Sequence, residues 1–304
     1  MNNNWILYLF KTKKNKAMKK DNNISDILQR IHSIPALPKI VDEALRILND
    51  KNSNKNSIVS IISKEQSFIS KILTVANSPI YGLRKEVSTL SFAVFILGIR
   101  EIKKIVMALA FIESFKMTKD NYFDPQEFWL HSLVVGNLSR KIAMDLNINN
   151  TGEAFVSGFL HDFSISVLHR GFSNEYSEIC KLASENFTYE NAEKTVLGMI
   201  HSEISKIILT NWEFPDILID AITNHHTPFL AEIDKRLTAV IHLADYSTHY
   251  LNVATCKWDK DFKLDESILD LLHFSSITSL NEFTETYREF INIQINSIRN
   301  LLWK

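Results

Sequence analysis

Five stretches of the sequence carry imidazoles or carboxylates inside otherwise apolar runs. "FWLHS" holds His131, "GFLHDFS" holds His161 and Asp162, and "GMIHSE" holds His201. "TNHHTP" holds His225 and His226, and "IHLADYS" holds His242 and Asp245. Ionisable groups in apolar sequence are costly to bury unless something satisfies them. Imidazole nitrogen with carboxylate oxygen suits Fe, Mn, Zn or Ni better than an all-oxygen calcium site. Two such ions about 3.5–4 Å apart would polarise a phosphate and activate water against it. The metal-free alternative buries His161 and Asp162 hydrogen-bonded to each other or to His131 and Asp245. Asp162 would then hold His131 or His201 in a protonated, paired state.

The spacing bears on which elements carry these groups. His131, His161, His201, His225 and Asp245 follow one another at intervals of 30, 40, 24 and 20 residues. Each interval fits a helix and a turn, so helices of a bundle could bring the side chains to one centre. The other four histidines, His32, His169, His249 and His273, are read as ordinary surface or core residues.

Apolar residues recur at three- and four-residue spacing along almost the whole chain, and no run alternates as a strand would. With 7 Gly and 6 Pro in 304 residues, the fold class expected is all-α. The pattern predicts a short helix over 24–31, another carrying Ile40, Ala44, Leu45 and Leu48, and a polar loop 49–57 with Ser57 as a cap. Helices follow over 67–75, over 88–97 up to Gly98, and over 101–115. The polar stretch 117–127 marks a boundary. Beyond it, one helix carries His131, the next carries His161 and Asp162 together, and a more polar helical stretch spans 173–192. Residues 264–304 read as two helices whose stripe of Phe283, Tyr287, Phe290, Ile291, Ile298 and Leu302 packs back on the body. The organisation expected is a tail, 1–22; an N-terminal helical part, 23–116; a helical bundle with the polar cluster, 117–250; and a C-terminal helical extension, 251–304.

Composition narrows the function. The formal net charge is −1, from 34 basic and 35 acidic residues, so no broad positive field favours nucleic acid. A local basic patch of Lys71, Arg100, Lys103 and Lys104 is better read as the solvated face of amphipathic helices. Cys180 and Cys256 lie far apart and read as reduced buried thiols. The apolar run "WILYLF" at 5–10 is too short to span a bilayer, and the expected location is the cytoplasm.

"GFLHDFSISVL", with "FWLHS" before it and "IHLADYS" after it, resembles the HD superfamily of metal-dependent phosphohydrolases. The blocks "LPKIVDEALRIL", "IVSIISKEQSFISKILTVANSPIYG", "VSTLSFAVFILGIREIKKIVMALAF" and "NWEFPDILIDAITNHHTP" resemble the HDOD family, the HD-related output domain of bacterial signalling proteins. The resemblance covers roughly residues 24–250. It implies metal ligands at His131, His161, Asp162 and Asp245. The related HD-GYP phosphodiesterases of cyclic di-GMP add histidines that match His201, His225 and His226, which would make a site for one or two divalent transition metals with Asp162 as the catalytic candidate.

Two departures accompany the resemblance. Active HD-GYP enzymes carry His-Asp-x-Gly-Lys, where this chain has Ser164 and Ile165, and isoleucine supplies no charge for a phosphate. The Gly-Tyr-Pro element after the paired histidines is missing from "HHTPFLAEIDK". The expectation is therefore a non-catalytic or weakly catalytic signalling module that binds partner proteins, a nucleotide-like ligand or a second copy of itself. The alternative is a working phosphohydrolase of nucleotides or cyclic dinucleotides, with Arg140 or Lys141 replacing the lost lysine.

Overall fold

A computed structural model describes residues 26–302, except 33, 35–38, 50–58, 60–61, 63–65, 78–85, 186 and 259–261. The expected tail, the loop with Ser57 and the "SPIYG" turn lie outside the described residues. Among the described residues every regular element is helical, which is the all-α class the periodicity predicts. No described helix is long and apolar enough to cross a membrane.

After a helical segment at 26–32 come α1 (Lys39–Asn49), α2 (Gln66–Ala76), α3 (Leu90–Leu97) and α4 (Ile99–Ser114). Thr89 caps α3 by accepting from the Phe92 N–H at 3.2 Å, so the helix expected over 88–97 starts at Leu90. Gly98, at φ 79°, ends α3 and opens α4, a left-handed conformation that glycine adopts without a Cβ penalty. Residues 105–111 of α4 are all buried. Lys71 pairs with Glu113 and Lys103 is buried, so those two lysines do not form an open basic face.

The second half begins with α5 (Pro125–Asp145), opened by Asp124, which accepts from the Gln126 N–H at 2.9 Å, and by Pro125 at the first helical position. α6 (Thr151–Leu160) packs tightly along it. Gly136 on α5 faces Gly158 on α6, and a Cβ built on Gly158 would lie 2.5 Å from Ser139 Oγ and 3.1 Å from Gly136 Cα. Only paired glycines allow the two backbones this close.

The helix expected to carry His161 and Asp162 together is in fact two. α6 ends at Leu160 and α7 (Phe163–Gly171) begins three residues later, with Asp162 at φ −100°, ψ 12° between them. No Pro or Gly signals this break. Phe163 anchors it instead, its ring 4.8 Å from Phe115, 5.3 Å from Phe111 and 5.5 Å from Trp212. The contacts to Phe111 and Phe115 tie the junction to the N-terminal helices, and that to Trp212 ties it to the helix beginning at His201.

The polar stretch after it forms two helices, α8 (Ser173–Ser184) and α9 (Tyr189–Val196). Then come α10 (His201–Asn211), α11 (Asp216–Thr223), a 3₁₀ turn (Pro228–Leu230) and α12 (Lys235–Tyr250). The C-terminal region holds three helices rather than two: α13 (Ser267–Leu272), α14 (Ile277–Glu285) and α15 (Arg288–Leu302). Their stripe packs inward, with Tyr287, Ile291 and Ile298 buried. Asn137 donates to Gln294 at 3.0 Å, and the Tyr287 hydroxyl donates to Asp145 at 2.7 Å, fastening α15 to α5.

Candidate metal centre

All seven residues that the resemblance implies as ligands converge. His131 projects from the second turn of α5, and His161 and Asp162 occupy the α6–α7 junction. His201 is the first residue of α10, His225 and His226 follow the end of α11, and Asp245 lies in the middle of α12. His131, His161, His225 and Asp245 have no exposed surface, Asp162 and His201 almost none, and His226 is half-buried.

They form two groups whose donor atoms lie within 4.8 Å of one another: His131, His161 and Asp245, and Asp162, His201, His225 and His226. In the first, His131 Nε2 is 3.3 Å from His161 Nε2 and 3.3 Å from Asp245 Oδ1. In the second, His201 Nε2 is 3.4 Å and His225 Nε2 3.7 Å from Asp162 Oδ1. His226 Nε2 lies 2.9 Å from His201 Nε2. Asp162 joins the groups, because its other oxygen, Oδ2, is 3.3 Å from His161 Nε2.

The hydrogen bonds behind the rings fix which nitrogen points inward. Nδ1 faces the carbonyl of Ala254 in His131 at 2.9 Å, of Gly158 in His161 at 2.8 Å, and of Ile222 in His225 at 2.6 Å. Nδ1 of His201 faces the Glu193 carboxylate at 2.9 Å. A carbonyl or carboxylate oxygen only accepts, so Nδ1 carries the proton and Nε2 is left facing the centre. His242 shows the contrast. Its Nδ1 donates to the His225 carbonyl at 2.8 Å, and its Nε2 accepts from the Asp265 N–H at 2.8 Å. Both of its nitrogens are committed, so it supports the centre without offering it a donor.

Electrostatics follow from this packing. Although burial opposes the charge on His161, the Asp162 and Asp245 carboxylates raise its pKa to about 9. Burial likewise opposes charge on His201, where Glu193 and Asp162 raise it to about 9. Burial and the neighbouring His161 push His225 down to about 3. Burial and His225 hold His226 well below the ordinary histidine value. Against the effect of burial, His161 and His201 hold Asp162 far below the usual carboxylate range. The protein without metal thus keeps protons where the divalent charge would sit.

Three buried atoms are still left over. Both oxygens of Asp245 and Nε2 of His225 lack a hydrogen-bond partner. Such atoms in a native interior call for an explanation, an ion among them. Nitrogen-rich donors with two carboxylates, their outward nitrogens fixed by neighbours, are the chemistry of a transition-metal site, and these residues fit one.

Several contributors escaped the sequence reading. Glu193, fully buried, accepts from both the backbone N–H and Nδ1 of His201, at 3.0 and 2.9 Å. The indole of Trp258 donates to Asp162 Oδ2 at 2.6 Å. His249, read as ordinary, lies 3.9 Å from Asp245 Oδ1 and stacks on Phe262 at 5.2 Å. Ser164, where the active enzymes carry glycine, donates to the His201 carbonyl at 2.6 Å. Ile165 is wholly buried in the core. The cations expected to replace the lost lysine are committed elsewhere. Arg140 pairs with Glu101 at 3.1 Å, and Lys141 pairs with Asp145 at 2.6 Å.

Comparison with known proteins agrees with this architecture. An HDOD domain protein of unknown function from Geobacter sulfurreducens superposes with a TM-score of 0.78 at 19% identity, covering 95% of this chain and 100% of that one. A candidate phosphohydrolase from Shewanella amazonensis gives 0.70 at 22% identity, covering 90% and 97%. An uncharacterised protein of Treponema pallidum is 21% identical over 234 residues, or 76% of this chain, which spans 45% of that relative's length. The HDOD domain family matches residues 34–228, and the chain belongs to that family.

Proposed function

We propose that this protein is a bacterial signalling module whose buried His/Asp cluster holds one or two divalent transition metals as a structural or ligand-sensing centre, with little or no hydrolytic activity. One observation carries this reading: inward-facing Nε2 atoms surround Asp162 and Asp245, and the buried oxygens of Asp245 have no hydrogen-bond partner. His131, His161 and Asp245 would hold one ion, and His201, His225 and His226 the other, with Asp162 between them. Divalent ions there would supply Lewis-acid polarisation of a phosphate-type oxygen.

The protein's own groups perform the rest. Glu193 and the Ala254, Gly158 and Ile222 carbonyls orient the rings. The helices exclude water, which strengthens every charge interaction inside. Phosphoryl transfer also needs cations placed on the phosphate oxygens, and Ile165 offers none. Arg140 and Lys141 are paired with Glu101 and Asp145. That supports a ligand- or partner-responsive role over turnover, in keeping with the signalling proteins among which HDOD domains occur.

Elemental analysis of the purified protein tests the reading. At least one transition metal per chain is expected, falling to background in Asp162→Ala. A wild-type protein free of metal after loading contradicts the metal centre. Hydrolysis of phosphodiesters with added Mn that disappears in Asp162→Ala contradicts the non-catalytic role.

A further inference from the structure

Asp162 does not face its two groups symmetrically. Oδ1 looks toward His201 and His225. Oδ2 looks toward His161 and also receives the Trp258 indole N–H at 2.6 Å, 96 residues further along the chain. Trp258 is buried and firmly seated. Its ring stacks on Phe123 at 5.9 Å and 18°, lies 5.6 Å from Phe128, and meets His131 edge-on at 6.3 Å. The turn that delivers it is unusual. Asn252 and Ala254 both have positive φ, 53° and 50°, a conformation Asn tolerates but one that is unfavourable for Ala254 and persists where surroundings enforce it. The same Ala254 aims its carbonyl at His131 Nδ1. One strained turn, beyond the 34–228 stretch matched by the family, therefore touches a donor of the first group and the carboxylate shared by both.

We propose that Trp258 is a positioning residue that makes the two metal positions unequal. An N–H donated to Oδ2 draws electron density from that oxygen and fixes the carboxylate's rotation. Oδ1 stays fully available to the group of His201, His225 and His226, which takes metal first. The group of His131, His161 and Asp245 shares the weakened oxygen and takes metal second, with lower affinity. This rests on the metal reading above and adds an order of filling to it.

Zinc titration of the chelator-stripped full chain by calorimetry tests the idea. The wild type should bind in two steps. Trp258→Phe keeps an aromatic ring and loses the N–H, and should tighten the second step by roughly tenfold while leaving the first nearly unchanged, opposite in sign to the loss that removing a ligand's partner usually brings. A second readout needs no variant: in a ¹⁵N-indole NMR spectrum of the wild type, the hydrogen-bonded Trp258 N–H signal should shift with the second equivalent of zinc. Two equal steps in the wild type, an unchanged second step in Trp258→Phe, or an indole signal that does not shift with the second equivalent overturns the assignment to Trp258. If the substituted chain fails to fold, the NMR result decides. A wild type that takes up no zinc sinks the metal reading itself, a result distinguishable from the other three.

Discussion

The two groups around Asp162 are built differently. His131 and Asp245 sit within long helices, α5 and α12, so their separation is set by helix packing. His201, His225 and His226 sit at a helix start and in a turn, so the placement of His201 and His225 depends on the groups behind their rings, Glu193 and the Ile222 carbonyl. Rings in both groups are hydrogen-bonded from behind. The first group also rests on the close packing of α5 and α6 and the second on the buried Glu193 carboxylate, so each can be broken separately.

The largest effect is expected where the two meet. Asp162→Ala removes the oxygens facing both groups, and metal content should fall to background while the helical far-ultraviolet spectrum persists. Loss of metal from one position only would contradict Asp162 as the shared residue.

Gly158→Ala attacks the helix-packed group. The added Cβ meets Ser139 and the Gly136 backbone, and overpacking of this kind costs about 1–3 kcal/mol. Pushing α6 from α5 also separates His161 from His131. Chemical denaturation should show the stability loss, and metal titration should show the step assigned to His131, His161 and Asp245 weakening more than the other. Glu193→Gln is the counterpart. It leaves the helices in place and should weaken metal at His201 by roughly 10–100-fold. Equal weakening of both steps by either variant would dissolve the distinction between the groups.

Acidity gives a further contrast. His161 and His201 titrate at about 9 in the folded metal-free protein, against 6.5 for an ordinary histidine. A raised folded-state pKa contributes stability that is complete below 6.5 and lost as pH rises through 9. Depressed His225 acts on the other side, between 6.5 and about 3, so it does not enter that window. Thermal melts should show the metal-free protein losing stability from pH 6.5 to 9 while the loaded protein does not, and metal affinity should increase over the same range because protons leave the donors. The smallest effect is expected at Lys141→Ala, which removes an exposed pair with Asp145 and should cost about 0.2–1 kcal/mol without altering metal uptake.

Much of this was legible in the sequence because one signal repeated. Each of His131, His161, Asp162, His201, His225, His226 and Asp245 interrupts an apolar run, and helical periodicity sets those runs against one another. Glu193 was hidden because it belongs to a polar helix, where a carboxylate looks ordinary, and only the turn before α10 brings it under His201. Trp258 was hidden for a different reason. It reaches Asp162 across 96 residues from a non-helical turn, and no periodicity marks such a contact. His249 follows Asp245 by one helical turn, a spacing that could have raised its interest. The break between His161 and Asp162 lacked Pro or Gly and is held by tertiary aromatic packing around Phe163, which overrides local preference.

Anomalous diffraction at the absorption edge of the loaded metal, from a crystal of the full chain, tests the central claim most directly. Two peaks are expected, one on each side of the Asp162 carboxylate, among the Nε2 atoms of His131 and His161 and of His201 and His225. A map with no peak at Asp162, or with peaks only on surface histidines, would contradict the account.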